Sequence, residues 1–434
     1  MNKIGVSVIL FVCLVILAFR FFFFFSSQKH FSDGQQVHFV TTIRQEPKII
    51  GTYLVIVAKP DQYDTVSIYT PRTKQLRYGD VINVVGKANV KKVTKISTQN
   101  HVSTQQEKVY YSIFSPQITH VENQQNSALS VIYAVRQKII DFFQNAMPSL
   151  SGSLLLGIVF GIKQHMPQYF TDALRVTGVF HVIAASGMNV TIIGGFLSSV
   201  FSYFLPRKLA VIFSIGGIIF YAVLSGLEPS IIRAACMGII VFTAQILGRQ
   251  TLAWYGLLIT GYTMLLFDPE LLFDVGFQLS FTATLGLLYI RPLLEINDKV
   301  KALLEKSLIG EEVVTTIAAQ IATLGILLYY FGTYSIWSIV VNGLVLWVVP
   351  LLMMLGGVGA LVSFIFPPLA KLLLFAALPF LFYFQTVVTF FANLGGVWQV
   401  HDVLWQFVIG YYLVLTAIVM FFSKKKAHLS TKQT

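Results

Sequence analysis

Residues 181–190 read HVIAASGMNV, residues 228–235 read EPSIIRAA and residues 274–281 read DVGFQLSF. All three strings lie in runs apolar enough to be buried in lipid, yet they carry His181, Ser186, Asn189, Glu228, Arg233, Asp274, Gln278 and Ser280. Hydrocarbon offers no hydrogen-bond partner, so polar groups at that depth face one another or a polar cavity. The strings therefore predict an α-helical polytopic membrane protein whose function resides at these positions.

Composition points the same way. With 55% hydrophobic residues, 12% charged residues and a mean hydropathy of +0.71, a soluble multidomain protein is excluded. The formal net charge of +12 divides between a polar segment near the N-terminus and short basic ends, so it is partly a topology signal and partly an affinity for anions. Cys13 and Cys236 both fall in apolar runs, which leaves no disulfide framework and no cysteine-based metal site.

Residues 1–25 read as a retained anchor helix, ending in Phe21–Phe25 without a small-residue cleavage pattern. Residues 26–127 turn polar, and their Val-, Ile- and Tyr-rich runs at 49–58, 65–69 and 81–85, punctuated by turn residues, predict a small antiparallel β domain. Residues 76–87 (LRYGDVINVVGK) read as the centre of an OB-like barrel. On such a barrel Arg72, Lys74, Arg77, Lys91, Lys92 and Lys95 either contact phosphates of an oligonucleotide or form an ordinary solvated face. Residues 128–147 suit an interfacial amphipathic helix. Residues 148–422 form the polytopic domain, and the whole chain is expected to hold about ten or eleven membrane segments. Within it, 152–162 is too short to span upright and reads as a half-helix or a re-entrant piece, while 336–366, with Pro350 and Gly356-Gly357, is one broken passage or two. Residues 423–434 form a basic tail.

Basic residues orient the chain. Arg207-Lys208, Arg249, the stretch 291–306 and Lys424-Lys425-Lys426 alternate with the turns 225–230 and 268–274, so the former are placed in the cytoplasm and the latter outside with the β domain. Arg233 then lies about one turn below the outer end of its helix, as Gln278 lies below Asp274, and Arg233 is expected to pair with Asp274 or with Glu228. In the first string, Gly187 permits an unwound turn lining a pore, or belongs to a small-residue face that admits a neighbouring helix.

These strings, followed by Ala318-Ala319-Gln320, Tyr329-Tyr330-Phe331-Gly332 and Asn342, resemble in order and spacing the competence region of ComEC-type DNA uptake proteins, best over residues 150–350. The resemblance implies that one strand of incoming DNA crosses the cytoplasmic membrane through a channel lined by His181, Ser186, Gly187, Asn189, Glu228, Arg233, Asp274, Gln278, Ser280, Gln320 and Asn342. It also implies a separate DNA receptor, a separate nuclease and an ATP-dependent motor on the cytoplasmic side; the oligomeric state is left open. Family members commonly read SGLH where this chain has Ser186-Gly187-Met188-Asn189, so no histidine role transfers to position 189. Many members also carry a metallo-β-lactamase-like domain after the last helix, where this sequence has residues 423–434. Phe277, Phe281 and Tyr221 are candidate surfaces for stacking bases.

The chemistry expected of the chain is not catalytic. The sequence contains no G-x-x-x-x-G-K-[ST] string, and its eight histidines are scattered without a zinc-binding cluster, so no catalytic residue, metal or cofactor is assigned. Two other classes fit part of the pattern. A transporter of another small or polymeric anion would use the same polar strings. An intramembrane serine hydrolase would need His181 within reach of Ser186, which a continuous helix forbids.

Overall fold

The computed structural model describes residues 3–43, 47–50, 52–60, 63–71, 76, 80–99, 102–120, 127–163, 165–184, 186–247, 253–294, 310–400 and 403–430. The chain divides into two compact units, residues 1–138 and 139–434.

The first unit opens with α1 (Lys3–Ser27), the expected apolar helix. It is followed by β1 (Gln36–Thr42), β2 (Lys48–Ile50), β3 (Tyr53–Ala58), β4 (Val66–Pro71), β5 (Val81–Gln99), β6 (Val102–Phe114) and β7 (Gln117–His120). Their order is β1-β5-β6-β4-β3-β2, with β7 also on β5. The 19-residue β5 serves two partners in succession: β1 pairs with residues 81–87 and β6 with residues 88–99. Cβ atoms alternate faces along a strand, so Ile82, Val84 and Ala88 fall on the inner face, where they pack with Ile56, Ile68 and Ile113. The sheet is not the purely antiparallel one that the sequence predicted, because β4 runs parallel to β6. The segment after α1 is held to this sheet: Phe31 is buried and stacks on Tyr63 at 4.7 Å, and His30 Nδ1 lies 2.7 Å from Asp64 Oδ2. Burial, reinforced by its hydrogen bond to the Asp64 carboxylate, pushes the Tyr111 hydroxyl up to about 12, so this contact stays protonated well above neutral pH.

Helix α2 (Ser127–Ala146) lies across the division between the units, and its helical character agrees with the sequence expectation. The second unit then runs through α3 (Ser149–Phe160), α4 (Gln168–Val176), α5 (Phe180–Ile183), α6 (Gly187–Phe204), α7 (Arg207–Leu224), α8 (Pro229–Ile246), α9 (Ala253–Phe267) and α10 (Val275–Leu285). A widened π-helical turn, Gly286–Ile290, continues α10 into α11 (Arg291–Leu294). There follow α12 (Gly310–Phe331), α13 (Ser338–Val345), α14 (Val348–Ser363), α15 (Pro367–Asn393) and α16 (Trp405–Ser430), with a short β8–β9 ribbon (Thr333–Ser335 with Val397–Gln399). Helix α16 continues through the residues read from sequence as a tail.

Among the described residues six helices are long and apolar enough to cross a membrane, or seven if α13 and α14, bent by 48°, make one broken span. That is fewer than the ten or eleven segments expected from apolar runs. Helix α9, at 15 residues, is too short to cross upright, the run 273–290 divides between the 11-residue α10 and the π-helical turn, and α3, at 12 residues, is sheathed in protein. Residues Ser151–Phe160 are all buried, so this apolar run is enclosed by protein. Hydropathy alone does not separate a helix sheathed in protein from one sheathed in lipid. The run 178–205 is also interrupted, by extended backbone at Ala184 and Ser186.

Lipid gives little hydrophobic drive for helices to associate, so close packing must supply it. At Gly286 the close neighbour includes backbone: a Cβ there would sit 2.6 Å from Ala322 Cβ and 2.7 Å from the Ala318 carbonyl oxygen of α12. A backbone oxygen cannot rotate away. Gly286→Ala is therefore expected to cost about 1–3 kcal/mol by forcing α10 and α12 apart, read as a lower thermal midpoint of the purified protein.

Candidate functional site

Two helices start at the same end of the second unit. Pro229 suits the first position of α8, where no backbone N–H is needed, and Asp274 caps α10 by accepting from the Phe277 N–H at 2.7 Å. Arg233, about one turn into α8, reaches across to α10. Its Nε donates to Ser280 Oγ at 2.7 Å and its Nη1 to Thr284 Oγ1 at 2.6 Å, with Met237 Sδ 3.8 Å from Nη1. Ser280 and Thr284 are four residues apart and so share one helix face. Thr284 spends its own proton on the Ser280 carbonyl at 2.9 Å, leaving oxygen lone pairs for the guanidinium.

The third wall is Gly187, the first residue of α6. A Cβ there would stand 2.8 Å from Arg233 Nη2, so only glycine leaves room for the guanidinium as placed. No carboxylate among the described residues lies within 4.0 Å of Arg233. A half-buried guanidinium held by neutral hydroxyls keeps its full positive charge, and a low-dielectric surround makes that charge a strong attractor of anions.

This corrects the expected pairing of Arg233 with Asp274 or Glu228. Asp274 is engaged as a helix cap by backbone within its own turn. Glu228 has no capping bond of its own, and it meets Lys163 Nζ at 3.0 Å instead. Gln278 is directed elsewhere too, donating to the Leu272 carbonyl at 2.8 Å.

Asn189 is buried away from the Arg233 niche. Its Nδ2 donates to the Ile158 carbonyl at 2.8 Å, while Ser186 Oγ donates to its Oδ1 at 3.1 Å. The reason lies in α3. A helix end leaves its last four carbonyls unpaired, and a buried end must find them partners. Gly161, in the left-handed region at φ 72°, returns its N–H to the Gly157 carbonyl, and Ile162 N–H bonds that of Leu156. Ile158 is served by Asn189, and Val159 by the Tyr221 hydroxyl at 2.8 Å. Asn189 and Tyr221 thus close the end of a buried helix, and Tyr221 presents no stacking face. Phe277 and Phe281 lie against each other with centroids 4.3 Å apart.

A second polar network joins α12 and α13. Gln320 Nε2 donates to Ser338 Oγ at 2.6 Å, Tyr334 donates to Gln320 Oε1 at 2.7 Å, and Asn342 Nδ2 donates to the Ser338 carbonyl at 2.8 Å. Gly178 closes on Ser338, and its carbonyl meets His181 Nδ1 at 3.2 Å. No hydrogen bond joins His181 to Ser186 among the described residues. Seven of the eleven candidate positions fall into three local networks, Gly187, Arg233 and Ser280 in one, Ser186 and Asn189 in another, Gln320 and Asn342 in a third, while Glu228, Asp274, Gln278 and His181 bond other partners. No direct hydrogen bond joins the three networks among the described residues, although Ser186 and Gly187 are consecutive.

In the first unit Lys91 is exposed on β5, which also carries Lys92 and Lys95; Arg72, Lys74 and Arg77 lie outside the described residues. Sequence reading missed Thr284 and Lys163. The Ser280/Thr284 spacing, two hydroxyls one turn apart facing a lone intramembrane arginine, was a usable signal for the first. Nothing in the sequence pointed to Lys163 as the partner of Glu228.

A family model described as "Competence protein" matches residues 158–425, which include the Arg233 niche and both other networks. The chain belongs to that family. It is similar to the ComE operon protein 3 of Bacillus subtilis (strain 168), 28% identical over 212 residues, or 49% of this chain and 26% of that protein. It is also similar to an uncharacterized protein of Aquifex aeolicus (strain VF5), 30% identical over 151 residues, or 34% of this chain and 36% of that one. The chain thus matches well under half the length of either relative. No solved structure matches.

Proposed function

We propose that this protein conducts single-stranded DNA across the cytoplasmic membrane during DNA uptake. The observation that carries the reading is Arg233. A guanidinium set within apolar helices, held by two hydroxyls and facing no carboxylate among the described residues, suits the passing phosphates of a strand, which bear one negative charge each. Membership in the competence family and the resemblance to a ComE operon protein support the same substrate.

The remaining parts follow from the charge pattern. Basic stretches at 207–208, 291–306 and 424–426 orient the chain with its C-terminus inside and the β domain outside, where Lys91, Lys92 and Lys95 meet the strand first. Without a phosphate-binding loop, the chain draws its driving force from a separate motor, and a separate receptor and nuclease deliver the strand. No residue is assigned to catalysis, metal or cofactor. The test is uptake of labelled DNA by cells lacking the gene: complementation with the wild-type chain should restore labelled single strands in the cytoplasm. Normal internalisation in the deletion strain would reject the reading.

A further inference from the structure

Phe180, the first residue of α5, sits between two cations. Arg175 Cζ lies 5.2 Å from its ring centroid and Lys163 Nζ lies 5.7 Å from it. Each cation is at the same time held by a carboxylate, Lys163 by Glu228 at 3.0 Å and Arg175 by Asp172 at 3.2 Å. The side chains are 32% and 38% exposed in the first pair and 59% and 53% in the second, so solvent reaches all four charged groups. Ion pairs this exposed add little to stability, and packing does not require them. Glu228 also belongs to the turn that starts α8, about 7 Å along the helix axis from Arg233. The cluster therefore stands at the end of the helix pair that holds the guanidinium.

Resting on the DNA-conducting reading above, we infer that Lys163, Arg175 and Phe180 form a lip that binds a segment of single-stranded DNA, with Glu228 and Asp172 as internal stand-ins for phosphate. An arriving strand exchanges its phosphates for the two carboxylates on Lys163 and Arg175. As the cations turn toward the phosphates, a base takes their place on the face of Phe180, the combination of cations and aromatic surface that binds single strands without regard to sequence. The carboxylates set the affinity low enough for the strand to move on toward Arg233. The assignment makes a prediction of unusual sign: removing a negative charge at Glu228 strengthens binding, whereas a cluster that merely braces the fold would weaken or leave it unchanged.

The test uses the full chain in lipid nanodiscs and a short oligothymidylate, crosslinked by ultraviolet light, with the attachment at Phe180 located and quantified by mass spectrometry. Glu228→Gln is expected to raise the yield at Phe180 about 3- to 10-fold at fixed oligonucleotide concentration, and Lys163→Gln to lower it by a similar factor. Should either variant fold poorly, Asp172→Asn at the more exposed pair carries the same expectation of a rise. Phe180→Leu should weaken oligothymidylate binding at this site while leaving competition by inorganic polyphosphate, which has no bases, unchanged. Crosslinks elsewhere only, or no rise in yield for both Glu228→Gln and Asp172→Asn, would overturn the lip. Such a result, alongside lost uptake in Arg233 variants, would leave the conducting role standing.

Discussion

Arg233→Leu is expected to lower DNA uptake by at least about 100-fold while leaving the amount of folded protein in the membrane unchanged. The magnitude follows from the niche. Hydrogen bonds to a charged group are worth roughly 1.5–3 kcal/mol each, and about 1.4 kcal/mol is a factor of ten, so losing the charge that a phosphate would meet removes two or more decades. The fold should survive, because leucine relieves a half-buried charge and leaves Ser280 and Thr284 free to bond the carbonyls of their own helix, as Thr284 already does. Arg233→Lys separates charge from shape. A lysine keeps the charge but cannot fork between two hydroxyls, and uptake should fall between those of wild type and leucine, by about 10-fold. The measurement is internalised labelled DNA per cell, normalised to protein detected in the membrane fraction.

Asn189→Leu is expected to act in the opposite way, on folding before transport. The change leaves the Ile158 carbonyl without its partner inside a buried helix end, where an unpaired acceptor costs about 1–3 kcal/mol. Tyr221→Phe removes the corresponding donor from Val159 and should cost a similar amount. Because both side chains close the same end of α3, the double variant should not equal the sum of the singles. Thermal unfolding of the purified protein checks this. Uptake by the Asn189 variant should fall only in proportion to the protein that remains folded, in contrast to the Arg233 variant.

The contrast between these two residues shows what spacing reveals and what it hides. Both are polar residues in apolar strings, and sequence reading placed both beside one polar path. Local rules carried the elements themselves: the N-terminal apolar helix, the turn-punctuated strands of the β domain, the short α3, the break within 336–366 and the helix start after Asp274. Each is written in neighbours a few residues apart. Partners are not. Asn189 meets a carbonyl 31 residues away and Lys163 a carboxylate 65 residues away, contacts set by how helices pack. Part of the shortfall in membrane segments has the same origin, since α3 is apolar yet buried against helices that come much later in the chain, while α9 is simply too short to cross upright. Arg233 was legible as a site because lipid penalises a lone charge wherever it is met. Its partners were not, because Asp274 and Glu228 each had nearer or better-placed groups to satisfy.

The most direct test of the central claim is passage of a labelled single-stranded oligonucleotide into sealed vesicles holding the purified chain, driven by an imposed membrane potential. The account predicts entry through the wild-type protein and at least about 100-fold slower entry through an equally folded Arg233→Leu variant. Entry at the same rate through both proteins would contradict it.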